Sequence, residues 1–265
     1  MRASVVIPSL MALLMVSAAS EGQTNSAGQP PGGWSAKVGH ETFAFRDISR
    51  SGRPPDASPV TWSGDGPLVA GRYELARERS SHIGSIALGH ASDFAYVTPS
   101  DSLTAPAADT ASRLDIRYEY RRHLWRRLGA DGVRLSAGVQ AVGSRLAFER
   151  HTAAAASSSR IAGGGIAGML MLDVSRWRRL HVYAEWANGG VISRRHTDHT
   201  ADELASVTAS GGNWLTDLSV GADCPLGRGL RLAAQWTRSA SGYSSSHFSF
   251  SEQHRSWVIG AVYAR

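Results

Sequence analysis

Every second residue is apolar in four successive segments near the C-terminus, and each of these apolar series carries a tryptophan at one end. The segments are LHVYAEW (180–186), WLTDLSVGADC (214–224), LRLAAQW (230–236) and WVIGAVYAR (257–265). Their apolar series are Leu180, Val182, Ala184 and Trp186; Trp214, Leu218, Val220 and Ala222; Leu230, Leu232, Ala234 and Trp236; and Trp257, Ile259, Ala261 and Tyr263. A period of two is the signature of a β-strand. Folding about the short turn Cys224-Pro-Leu-Gly-Arg-Gly229 brings Trp214 opposite Trp236 and puts all four tryptophans beside the longer connections. Short turns at one end, long loops at the other and an aromatic girdle between lipid and water describe a transmembrane β-barrel.

The ends and the composition agree with an exported chain. Met1-Arg2 precedes an apolar run from Val5 to Val16 and then Ser17-x-Ala19, the pattern of a signal peptide over residues 1–19. That run is shorter than the roughly 20 residues a membrane helix needs, and Pro8 interrupts it. Residues 20–33, SEGQTNSAGQPPGG, read as a flexible leader, and 34–265 as one barrel domain. Cys224 is the single cysteine, which excludes an intramolecular disulfide and a cysteine-based metal site. The net charge of +6 is largely arginine at the expected short turns, in RRHLWRR (121–127), RWRR (176–179) and at Arg228 and Arg231. In an exported chain this favours anionic headgroups over nucleic acid.

Ten strands are expected, over 34–46, 68–78, 82–97, 113–125, 133–150, 161–175 and the four segments above, with eight or twelve as the alternatives. Turns near 80, 129, 177 and 227 are short and the other connections longer, as an up-and-down antiparallel barrel requires. Gly163-Gly-Gly165 has no helix after it and reads as a place of bending or close packing.

The fourth strand states its inner face most sharply. Leu114, Ile116, Tyr118, Tyr120 and Leu124 alternate with Arg113, Asp115, Arg117, Glu119 and Arg121. In a barrel the charges must face the lumen, since arginine on the lipid side costs about 2–4 kcal/mol at the midplane. The same phase places Arg72, Glu74, Arg134, Gln140, Asp173, His181, Tyr183, Glu185, Asp217, Arg231 and Gln235 inside, with Asp223 near the turn. Arginines and carboxylates nearly balance, which favours mutual pairing over a pore lined by one sign. A lumen of about ten strands filled this way is expected to be occluded or narrow.

With these features the chain resembles the small bacterial outer-membrane β-barrels of the OmpA/OmpX type within the porin-like superfamily. In that family the assembly machinery recognises Gly, two residues, an aromatic, one residue and a final aromatic. Gly260 and Tyr263 match in spacing and phase, and the chain departs from the pattern at Arg265. The resemblance implies a monomer in the bacterial outer membrane, surrounded by outer-membrane lipids and lipopolysaccharide, inserted by the barrel-assembly machinery, with no cofactor. Its expected role is in envelope structure or surface interaction, with slow passage of small solutes as a variant, and not in catalysis.

Three other patterns carry groups capable of chemistry or ligand binding. His196, Asp198 and His199, with Asp202 and Glu203, offer metal or acid/base groups, but such spacing arises readily in a solvated loop. Omptin-type surface proteases also have ten strands and use paired aspartates and Asp-x-His, whereas His196-x-Asp198 is the reverse order. His247, Ser249 and Glu252 resemble the triad of outer-membrane lipid A deacylases, with Phe250-Ser251 where Asn-Ala usually follows the serine. Gly32-Gly-Trp34 matches the opening of soluble lipocalins, an alternative that would turn the barrel inside out around Leu114, Ile116, Leu218 and Trp236.

Overall fold

Gly33, near the start of the first strand, pairs with Ala264 of the last, so the sheet has no free edge at this seam. The computed structural model describes residues 32–49, 60–97, 109–127, 132–151, 156–176, 180–199, 204–209, 213–227, 230–244 and 248–264. The expected signal peptide, the leader up to residue 31 and much of the long connections lie outside them. The strands are β1 (Gly32–Ser49), β2 (Val60–Ala76), β3 (Ser80–Val97), β4 (Asp109–Arg127), β5 (Gly132–His151), β6 (Ala156–Arg176), β7 (Leu180–His199), β8 (Leu204–Ala209), β9 (Trp214–Gly227), β10 (Leu230–Ser244) and β11 (Phe248–Ala264). All pairings are antiparallel between chain neighbours, apart from β1 with β11 and β7 with β9. β8 pairs only with the far end of β7, while β9 takes the near end. The two therefore share one position in the wall, and the result is a closed up-and-down barrel of ten strands.

The register fixes the tilt. Following paired residues round the wall leads from Gly33 through Glu74, Ile83, Glu119, Gln140, Ala167, Gly189, Leu215, Ser241 and Glu252 to Phe45. The path returns to β1 twelve residues further on, from 33 to 45. Such an offset can close only if the strands lean against the barrel axis, by roughly 35–45° in barrels of this kind.

The strands outrun the bilayer. A span needs about 9–11 residues, whereas β4 has 19 and β6 has 21. On the spanning part the outer face is apolar, with Ile116 54% and Trp257 67% exposed. Toward the long-loop end the outer face turns polar, at Thr42, Asp65, His90, Ser112, Arg145, Glu149, Arg160, Gln253 and Arg255. There the inner face becomes apolar: Phe43, Phe45, Ala91, Ala111, Leu146, Phe148, Ile161 and Tyr243 form one buried cluster. The alternation has kept its period and reversed its sense. Lipid solvates the lower wall and water the upper wall, and each selects its own outer residues.

This reversal explains why the strands are longer than expected. Residues 47–49 and 60–66, which fall between the strands expected over 34–46 and 68–78, lie in the wall, with Asp47 paired to Val60 and Phe43 to Gly64. The stretch beyond Trp186 likewise continues as strand to His199. The lipocalin-like alternative is overturned, because Ile116 and Leu218 are exposed on the outer face instead of lining a pocket.

The three glycines of β6 stand where the ladder shifts register against β7, between Gly164 and Gly165. A side chain at Gly165 would stand 2.6 Å from the Gly190 carbonyl oxygen, so the close approach of β6 and β7 requires glycine.

Candidate functional site

The lumen is a stack of ion-paired layers hung mainly from β4. Its strict alternation delivers five charged side chains to the inside at successive heights. Nearest the short turns, His181 bridges two carboxylates, its Nε2 2.9 Å from Asp173 and its Nδ1 2.8 Å from Asp223. Arg134 meets Asp173 at 3.0 Å, and Arg231 closes on Asp223. Above, Arg121 binds both Glu119 and, at 2.5 Å, Glu185, which joins β4 to β7 across the barrel. Arg72 and Glu74 pair at 3.4 Å along β2.

Higher still, Arg117 donates to Asp217 at 3.0 Å and to Ser239 at 3.2 Å, and Gln140 donates to the same Asp217 oxygen at 2.6 Å. Arg113 meets Asp115 and, at 2.6 Å, Glu41. Gln140 is 1% exposed, and Asp115, Glu119, Arg121, Asp173, Glu185 and Asp217 are likewise buried. Burying this much charge is tolerable only because each partner is supplied. Each of Arg72, Arg113, Arg117, Arg121, Arg134 and Arg231 faces a carboxylate.

Five further lumenal groups lie outside the inner set expected from the alternation: Lys37, Glu41, Arg194, Glu252 and His254. Lys37 donates to Gln235 at 2.5 Å and lies 3.5 Å from the Tyr183 hydroxyl. Arg194 binds Glu252, and His254 lies 3.5 Å from Glu41 and 3.8 Å from Glu252. This last group sits above the tryptophans, outside the span, directly beneath the apolar cluster. Burial alone would raise the carboxyl of Glu41, but Arg113 and His254 beside it hold it at about 2. Glu252 is likewise held at about 2 against burial, chiefly by Arg194 and His254. Burial and Arg113 would lower His254, yet the carboxylates of Glu252 and Glu41 beside it carry it above the ordinary histidine value.

Between the layers is a cavity of about 120 Å³. Small residues of β2, β3 and β10, among them Ala70, Ser85, Ala87 and Ser239, line it together with Lys37 and Arg117.

The girdle residues take the outer face. Trp186, Trp214 and Trp257 are exposed, and Trp236 packs against Trp257 in a tilted pair with ring centroids 6.3 Å apart. Gly260 and Tyr263 both lie in the β1–β11 seam, where a side chain at Gly260 would strike the Ala36 backbone and Tyr263 packs on Trp34 at 5.9 Å.

The proposed chemical clusters fare differently. Glu252 is committed to Arg194 and His254, while His247 lies outside the described residues. His196, Asp198 and His199 belong to β7 by backbone pairing with β6 and β8. Asp202 and Glu203 are outside the described residues, and among the described residues no group of three potential ligands gathers.

An apolar outer belt, an ion-paired interior and a closed antiparallel wall define a transmembrane β-barrel of the outer-membrane kind. The chain is similar in fold to the outer membrane protease OmpT of Escherichia coli, with 10% identity over 92% of this chain and 99% of that one and a TM-score of 0.68. The outer membrane protein OprG of Pseudomonas aeruginosa matches 91% of this chain and 99% of its own at 10% identity, with a TM-score of 0.43. No protein family model matches the chain, and no curated protein matches it in sequence.

Proposed function

We propose that the protein is a monomeric barrel of the bacterial outer membrane whose lumen is sealed, and that it serves envelope structure and surface interaction through its long-loop end. The observation that carries this reading is the succession of buried ion pairs across the lumen under the buried Phe43 and Phe45 cluster. A selective pore concentrates charge of one sign on an open path; here opposite charges neutralise each other in contact. Lipid and lipopolysaccharide surround the belt, and the barrel-assembly machinery engages the strand that carries Gly260 and Tyr263. Planar-bilayer recording tests the reading: the folded protein is expected to be silent, and discrete steps of conductance would replace it with solute passage.

A second reading, an enzyme acting on peptides at the cell surface, has the overlap with OmpT in its favour. Incubating the folded protein in detergent with a mixed peptide library tests it. Cleavage that persists in an H196A/D198A variant would rule out those two residues as its source.

A further inference from the structure

Arg238 of β10 and Arg255 of β11 stand directly opposite each other in the ladder, and both are exposed on the outer face. Like charges facing one another across strands destabilise a sheet. The seven lumenal arginines avoid this by meeting carboxylates, whereas these two have no ion-pair partner among the described residues.

Their surroundings say what would relieve the repulsion. One pair below on the same face, Trp236 faces Trp257, and Ile259 and Leu232 continue the apolar belt beneath them. On the β1 side the exposed Thr42 pairs with Arg255. The two guanidinium groups therefore crown the aromatic girdle, at the height where lipid headgroups carry their phosphates. Directly opposed residues lie about 4.5–5.5 Å apart at Cβ, close enough for both arginines to reach one anion. Guanidinium is the side chain best matched to phosphate oxygens.

Resting on the outer-membrane reading above, we propose that Arg238 and Arg255, with the Thr42 hydroxyl beside them, clamp the phosphate of a phosphorylated lipid in the leaflet at the long-loop end. The acyl chains of that lipid lie along Trp236, Trp257 and Ile259.

The test uses the full folded protein in a neutral detergent, with diphosphorylated lipid A, its dephosphorylated counterpart and inorganic phosphate as probes. The readout is the temperature at which the compact electrophoretic form is lost, for wild type, R238Q, R255Q, R238Q/R255Q and the control R145Q on the far wall. Without lipid, the Gln variants should be at least as heat-resistant as wild type, because the repulsion is gone. With diphosphorylated lipid A the order should reverse, wild type and R145Q gaining most and the double variant losing about tenfold or more in apparent affinity. Dephosphorylated lipid should lower the wild-type gain to that of the double variant, and inorganic phosphate should give none. A double variant that responds to the phosphorylated lipid as wild type does overturns the clamp and leaves the barrel standing. Inorganic phosphate reproducing the full gain overturns the lipid as occupant. A wild-type chain with no heat-dependent mobility overturns the outer-membrane reading, and the clamp with it.

Discussion

The ring of Tyr183 on β7 lies over Gly221, its paired neighbour on β9, in the volume that any side chain at Gly221 would need. The glycine is thus part of the tyrosine's seat, and through Tyr183 it bears on Lys37. Gly221→Ala should cost about 1–3 kcal/mol by overpacking, read as urea unfolding from lipid vesicles. Adding Tyr183→Ala should return part of that loss; a double variant worse than both singles would show that the ring is not the obstacle.

Arg121 is shared by Glu119 and Glu185 in a buried layer. Arg121→Met leaves two buried carboxylates facing each other and should destabilise the barrel by about 3–5 kcal/mol. Adding Glu119→Gln and Glu185→Gln should recover most of it in the same unfolding assay.

The reversal of the two faces along β4 can be tested on one strand. Ile116→Arg places charge in the belt and should cost about 2–4 kcal/mol, while Ser112→Arg, four residues nearer the long loops, should change stability by no more than about 0.5 kcal/mol. Equal penalties would mean that lipid reaches the upper wall.

Arg117 reaches across from β4 to Asp217 of β9 and Ser239 of β10, beside the internal cavity. Arg117→Ala removes the cross-lumen strut, and discrete conductance absent from wild type is the expected result in planar bilayers. Silence in both would place the seal higher, at the phenylalanines.

The layer of Glu41, Glu252 and His254 gives the upper barrel its own pH dependence. Both carboxyls are held below the ordinary glutamate value of 4.5, so the stability they contribute is complete above that value and is lost as pH falls toward about 2. His254 works in the opposite sense: held above 6.5, it contributes fully below that value and less as pH rises through its folded value. Hydrogen exchange should show the amides around Phe43 and Phe45 losing protection in acid before those of the belt. Simultaneous loss would count against an acid-sensitive layer.

How legible all this is from residues alone depends on the solvent outside each stretch of wall. β4 could be read because lipid outside and charge inside make its alternation unambiguous, from Leu114 to Arg121. β1 could not, because Glu41 and Phe43 share the inner face just where the belt ends, and a polar and an apolar residue in phase look like noise until the reversal is known. Arg194 escaped for another reason: the register shift between Gly164 and Gly165 changes the parity of β7, so Glu185 and Arg194 both face inward although their positions differ by an odd number. Glu252 and His254 are in phase with Val258 on the inner face, and starting β11 at Trp257 was enough to lose them.

The seam between β1 and β11 joins Gly33 to Ala264, positions 231 apart in sequence (264 minus 33), whereas most other interfaces form between strands that follow one another along the chain. The hairpins can zip up locally, but the seam must wait until β11 is in place, and contacts this distant in sequence are the slowest to form. Until then the chain carries two bare edges, each a template for joining a neighbouring molecule. The last strand is therefore less a tenth of the wall than a clasp: shortening it would leave an otherwise complete sheet open, at the moment when it is most exposed to the wrong partner.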